Sequence, residues 1–251
     1  MHPTVLTAPE RFDAFVSMAL KKGIGEICVT DHMPLSISRA SDRLVREGIA
    51  DYCARVRELA RRYEGQIRIK CGIEIDYHPS VISEIEYVLG EGDFDYILGS
   101  SHMHVFVKDM NGLTYNDFAR LAIENSILCA QSGAFDTLSH PDMFRFAFTN
   151  AKRFPLTDDG YAPENHADLW SELLDTVKEK GMRLEINPHL AEKKGIDFVY
   201  PMPTVVEWAL QRGIGFTYGS DAHAPESVGA LIDELEAHPI YGRAIRLWES
   251  E

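Results

Sequence analysis

Ala19-Leu20-Lys21-Lys22-Gly23-Ile24-Gly25-Glu26-Ile27-Cys28-Val29-Thr30-Asp31-His32 is the stretch whose reading decides the architecture. A helical segment closes on two lysines, a glycine follows, and a short apolar run ends on Asp-His. Cations in a last turn complement the helix dipole. Glycine supplies the left-handed cap that turns the chain into the next element. The unit therefore reads helix, turn, strand.

The same unit recurs along the chain. Gly65 precedes a strand over residues 67–73, Gly133 one over 135–138, Gly181 one over 182–186, and Gly213 one over 214–218. Another strand, 94–98, follows Gly90 and Gly92, and the opening unit contributes 24–30. Basic residues near the helix ends repeat too: Arg61, Arg62, Lys178, Lys180 and Arg212. Six short apolar strands alternating with helical segments imply an α/β fold with a parallel sheet, and closure into a β/α barrel suits this length. No linker or composition shift divides the chain, so 1–251 is expected to be one domain. Residues 150–166 are the most irregular and are expected to form a surface loop.

Composition narrows the function. The 251 residues carry a net charge of −14, which opposes nucleic-acid polymers and anionic membranes as partners. Solubility alone would also account for that charge; the sharper reading is that some carboxylates hold cations. No apolar run reaches the roughly 18 residues of a membrane helix, and no signal-peptide pattern opens the chain. Cys28, Cys53, Cys71 and Cys129 form no CxxC pair, and three of them lie in apolar stretches, as free thiols in a reducing compartment do. The expected location is the cytoplasm.

The active site of a β/α barrel lies at the C-terminal ends of its strands. Here those ends run into Asp31-His32; Glu74, Asp76 and His78; His102 and His104; Ser139-His140; Asn187 and His189; and Asp221 and His223. A single histidine is more often a surface or satisfied core residue than a ligand. Convergence of so many reverses that, because a core does not gather unpaired imidazoles and carboxylates. Imidazole with carboxylate suits Zn²⁺, Mn²⁺ or Fe²⁺ rather than an all-oxygen Ca²⁺ site. The donors exceed what one tetrahedral ion uses, so two or three divalent transition-metal ions are expected.

Five motifs make the pattern specific: CysGlyIleGluIleAspTyrHisPro (71–79), GlySerSerHis (99–102), SerHisProAsp (139–142), LeuGluIleAsn (184–187) and GlySerAspAlaHis (219–223). Over residues 8–229 the chain resembles the PHP (polymerase and histidinol phosphatase) family of metallohydrolases. The first of these motifs, with Tyr200-Pro201, is most similar to the histidinol-phosphatase branch. The resemblance implies a distorted (β/α)7 barrel and a trinuclear metal cluster. It implies His32, Glu74, His102, His140, Asp221 and His223 as metal ligands, with Glu74 bridging two ions and Glu74, Asp221 and His223 at the catalytic centre.

The chain departs from the family at its start. The family opens with a strand ending His-x-His, whereas this chain begins Met1-His2-Pro3-Thr4 directly before a helical segment. The expected first strand is thus missing. Under a truncated or mis-assigned start, Met1 would be the x of His-Met-His and His2 its second histidine and a metal ligand; otherwise His2 is a terminal residue without a role. In-frame upstream sequence coding apolar residues and then histidine would separate the two. The family also places a histidine for the third metal in the next loop, and residues 3–8 contain none. Two or three ions therefore both stay open.

The resemblance implies hydrolysis of a small phosphomonoester, L-histidinol phosphate above others, with a metal-bridging hydroxide as nucleophile. Paired metals lower the pKa of bound water and clamp the attacking and leaving oxygens. Arg145 and Lys193 (or Lys194) are the candidate phosphate ligands, with solvated surface charge as the competing reading. If Arg145 binds phosphate, Arg145→Ala raises KM without removing metal. Asp31, Asp76, His78, His104, Asn187 and His189 are expected to orient ligands or line the pocket. Another PHP activity, on nucleoside phosphates or as a 3′–5′ exonuclease, is the alternative enzyme. A metal-binding protein without catalysis is the alternative from another class. The sequence leaves the oligomeric state open.

Overall fold

The glycines read as helix terminators adopt left-handed φ: 72° at Gly23, 78° at Gly65, 66° at Gly133, 68° at Gly181 and 64° at Gly213. At three of them the cap is a full Schellman motif. Gly23 N–H donates to the Leu20 carbonyl and Ile24 N–H to that of Ala19, at 3.0 and 2.9 Å. The same pairs recur at Gly181 and Met182 (to Lys178 and Val177) and at Gly213 and Ile214 (to Leu210 and Ala209). The apolar residue after each of these three glycines thus belongs to the cap, and each strand begins one or two residues later than its hydrophobicity suggests.

A computed structural model describes residues 9–33 and 48–249; His2 lies outside the described residues. The elements are α1 (Pro9–Lys21), β1 (Glu26–His32), α2 (Ile49–Arg62), β2 (Arg68–Asp76), α3 (Ile82–Glu91), β3 (Tyr96–Ser100), α4 (Met103–Phe106), α5 (Tyr115–Ser132), β4 (Thr137–Leu138), α6 (Arg145–Phe148), α7 (Ala167–Glu179), β5 (Arg183–Ile186), α8 (Ala191–Lys194), α9 (Pro203–Gln211), β6 (Phe216–Tyr218), α10 (Ile232–Ala237) and α11 (Tyr241–Glu249).

The six strands form one sheet in sequential order β1-β2-β3-β4-β5-β6, every ladder parallel. The sheet curls into a distorted, partial β/α barrel, and among the described residues no ladder joins β6 back to β1. Across that seam, Lys22 Nζ at the end of α1 donates to the Val228 carbonyl beyond β6, at 2.6 Å. No helix among the described residues is long and apolar enough to cross a membrane.

Alternation along the strands sorts the side chains. In β2, Ile69, Cys71, Ile73 and Ile75 are buried in the apolar core, and Glu74 and Asp76 occupy the opposite phase. Parallel register puts His32 beside Glu74 and Asp76 beside Ser100. The buried Tyr52 hydroxyl of α2 lies 2.8 Å from the Val29 carbonyl and 2.7 Å from that of Gly72, locking β1 to β2 just below His32 and Glu74. The 150–166 stretch is irregular, as expected, but it is not simply a surface loop. Phe154 and Leu156 are buried and Thr157 bridges Thr114, so apolar side chains tie it down.

Candidate metal centre

Glu74 is the hub. The residue is 2% exposed and its two carboxylate oxygens face different strands. Oε2 lies 3.7 Å from His32 Nδ1, while Oε1 lies 3.7 Å from His102 Nε2 and 3.2 Å from His140 Nε2. One carboxylate thus spans imidazoles from the ends of β1, β3 and β4, the arrangement a bridging ligand needs. Asp76 hydrogen-bonds His102 Nδ1, which orients the ring with Nε2 toward Glu74. His32, Asp76 and His102 also offer ligand atoms within 4.8 Å of one another, as do Glu74, His102 and His140.

A second focus lies at the ends of β5 and β6. His189, Asp221 and His223 again offer ligand atoms within 4.8 Å of one another. His140 and Asp221 both have positive φ, at 22° and 49°, a conformation that costs on the order of 1–3 kcal/mol and persists only where the surroundings enforce it.

Glu185, absent from the sequence-derived ligand set, helps enforce it. Its Oε2 accepts from the His140 backbone N–H at 3.1 Å and from Asn187 Nδ2 at 3.1 Å. Asn187 Nδ2 also reaches Asp221 Oδ2 at 3.3 Å. One buried carboxylate is therefore linked to the turns of both His140 and Asp221. Gly219 makes the room: a Cβ there would lie 1.8 Å from Glu185 Oε1. The signal was present in the sequence. Glu185 precedes Asn187 by two residues in a strand, as Glu74 precedes Asp76, so both occupy the concave face.

The charges fit cations. Burial alone would lower the His140 pKa, but the bonded Glu74 carboxylate, with Glu185 and Asp221 nearby, raises it to about 10. Burial pushes Glu185 up to about 7, with Asp221 and Glu74 adding to the rise against the pull of His140. Acids this closely packed oppose one another's ionisation, and divalent cations relieve that conflict. Buried imidazole and carboxylate donors, oriented by Asp76 and Glu185, fit transition-metal ions.

The structure thus brings His32, Glu74, His102 and His140 together and sets Asp221 and His223 beside them. His104 meets His102 edge-on, with ring centroids 5.6 Å apart. His78 is turned to Ser80 and stacked on Phe106. Asp31 holds the backbone N–H of His32, at 3.2 Å. Arg145 requires a correction: it is buried, with Nε 2.9 Å from Asp142 Oδ2 and Nη2 2.6 Å from the Val199 carbonyl, over the Tyr200 ring. Its charge neutralises Asp142 and its fork ties the turn after β4 to residues 197–199, so it is no open phosphate ligand. Lys193 is exposed in α8 and close enough to His189 to act on its ring electrostatically. Lys194 instead lies over Phe198.

The chain is similar to known proteins in sequence and in fold. The chain is 33% identical over 247 residues to a probable histidinol-phosphatase of Deinococcus radiodurans, covering 92% of this chain and 88% of the relative. It is 25% identical to the histidinol-phosphatase of Bacillus subtilis, covering 86% of this chain and 88% of the relative. The crystal structure of histidinol phosphate phosphatase from Lactococcus lactis, complexed with zinc, L-histidinol and phosphate, superposes with a TM-score of 0.71 at 20% identity, covering 95% of this chain and 86% of that one. The PHP domain family model matches residues 3–189, and the chain belongs to the PHP family.

Proposed function

We propose that this chain is a metal-dependent phosphatase that hydrolyses a small phosphomonoester, L-histidinol phosphate above others. The observation that carries the reading is Glu74, whose two carboxylate oxygens face His32 on one side and His102 with His140 on the other. His32, Glu74, His102, His140, Asp221 and His223 would hold two or three Zn²⁺, Mn²⁺ or Fe²⁺ ions. Such ions supply charge neutralisation at the phosphoryl group and an activated water.

The chain's own residues do the positioning. Asp76 fixes the His102 ring, Glu185 and Asn187 fix the turns bearing His140 and Asp221, and the Lys193 ammonium provides counter-charge at the rim for a phosphate oxygen. Phosphoryl transfer depends chiefly on such placement and electrostatics. The likeness to histidinol-phosphatases over most of the chain supports the substrate. The net charge of −14 disfavours polynucleotides, hence the exonuclease alternative. Four unpaired thiols suit a reducing compartment, the cytoplasm.

Phosphate release from L-histidinol phosphate and from nucleoside monophosphates, with Mn²⁺ or Zn²⁺ added, tests the reading. Histidinol phosphate is expected to give the highest kcat/KM, and Glu74→Gln to lower it by more than about 100-fold, beyond the loss of an orienting partner. Metal-loaded, folded protein inert on every phosphomonoester would refute it.

A further inference from the structure

His189 is a strand-end histidine outside the ligand set named above. It follows β5 and its backbone N–H donates to Asn187 Oδ1 at 2.9 Å. The Asn187 amide reaches Asp221 Oδ2 at 3.3 Å, so the main chain at His189 is coupled to the Asp221 carboxylate. Its ring faces that of His223, with centroids 4.8 Å apart and planes at 48°.

Two details distinguish this group from an ordinary histidine pair. His223 Nδ1 lies 2.8 Å from the Asp221 carbonyl, which can only accept. The proton therefore sits on Nδ1, the tautomer in which Nε2 carries the lone pair. His189 Nδ1 is buried and makes no hydrogen bond, a costly state for an imidazole nitrogen unless something else satisfies it.

We propose that His189 is a metal ligand, and that with Asp221 and His223 it holds a divalent transition-metal ion. The inference rests on the metallophosphatase reading of the site and adds a ligand that reading lacks. Two imidazole nitrogens and one carboxylate oxygen leave coordination positions for water or a phosphate oxygen, as catalytic rather than structural metal sites do. The His223 side chain is 44% exposed, against 3% for that of Glu74. The ion at His189 is thus the more exchangeable, and it sits on the Lys193 side of the mouth. A phosphomonoester bound there meets the ion and the ammonium together.

Metal analysis and titration with Mn²⁺ and with Zn²⁺ on the full chain test this. Wild type is expected to show a tight class of ions and a weaker one. His189→Ala is expected to lose one equivalent from the weaker class, or to weaken it by at least about 100-fold, while the tight class is unchanged. His78→Ala, a histidine held by Ser80 and Phe106, is expected to retain both classes. His189→Cys loaded with Co²⁺ gives a positive readout, a thiolate-to-cobalt charge-transfer band that wild type lacks. A folded His189→Ala with wild-type stoichiometry and affinities, and no such band from His189→Cys, would overturn the proposal. Glu74→Gln separates the two levels of argument. If it loses ions while His189→Ala does not, His189 alone is misassigned; if it keeps every ion, the site reading itself fails.

Discussion

Gly219→Ala tests the packing of the site with one methyl group. Gly219 has no left-handed φ, so alanine is opposed by space and not by backbone conformation. A Cβ there lies 1.8 Å from Glu185 Oε1 and 2.7 Å from its Cδ. The carboxylate must retreat by about 1.6 Å to restore ordinary contact, which takes Oε2 out of reach of the His140 N–H and the Asn187 amide. Overpacking costs about 1–3 kcal/mol, and the His140 N–H left unpaired costs about 1–3 kcal/mol more, whereas the Asn187 amide keeps Asp221. Destabilisation of about 2–6 kcal/mol is expected, a fall in Tm of roughly 4–24 °C at this size. Denaturation of chelator-treated protein reads that term, and metal titration reads the loosened His140 and Asp221. Glu185→Asp shortens the intruding side chain by about 1.5 Å, so the pair Gly219→Ala with Glu185→Asp should be more stable than additivity predicts by at least about 1 kcal/mol. A Gly219→Ala protein of wild-type stability with a full metal complement would refute the reasoning, and strict additivity would remove Glu185 from it.

Arg145→Ala leaves Asp142 buried without its cation, and a loss of about 3–5 kcal/mol is expected in denaturant titrations; a stable variant with only a raised KM would restore the phosphate role. Lys193→Ala should raise KM for the phosphomonoester several-fold with stability within about 0.5 kcal/mol of wild type, and unchanged steady-state kinetics would dismiss it. In metal-free protein the folded pKa of His140 is raised to about 10 from an ordinary 6.5. Its contribution to stability is thus fully present below pH 6.5 and lost as pH rises to 10. The slope from this group is at most about 1.4 kcal/mol per pH unit. Metal must displace that proton, so loading at pH 7.5 should release protons to an indicator dye, and the gap in Tm between loaded and chelated protein should widen with pH. A gap that narrows would contradict the ligand role of His140.

Gly23, Gly65, Gly133, Gly181 and Gly213 announced the turns because left-handed φ at a helix end all but requires glycine. The strands were legible to within two or three residues, the error arising where Ile24, Met182 and Ile214 serve the caps and not the ladders. Histidines at strand ends stood out because imidazoles are scarce and a core does not gather them with carboxylates unpaired. Glu185 was less visible: one carboxylate between Leu184 and Ile186 looks like a surface residue until the strand's phase is fixed by its neighbours. Arg145 misled for the opposite reason, since an arginine near a strand end attracts a phosphate assignment, and only the folded chain shows Asp142 and the Val199 carbonyl occupying it.

The sheet's sequential order has a consequence for assembly. Because each strand pairs with the next along the chain, β1 through β5 can zip up unit by unit through nearby contacts, whereas Asp221 and His223 arrive only with β6. Ions held at the His32–Glu74 end would therefore need only the early strands, and an ion shared with the last turn would need the completed sheet. A chain stalled before β6 docks would lack the Asp221 and His223 donors altogether.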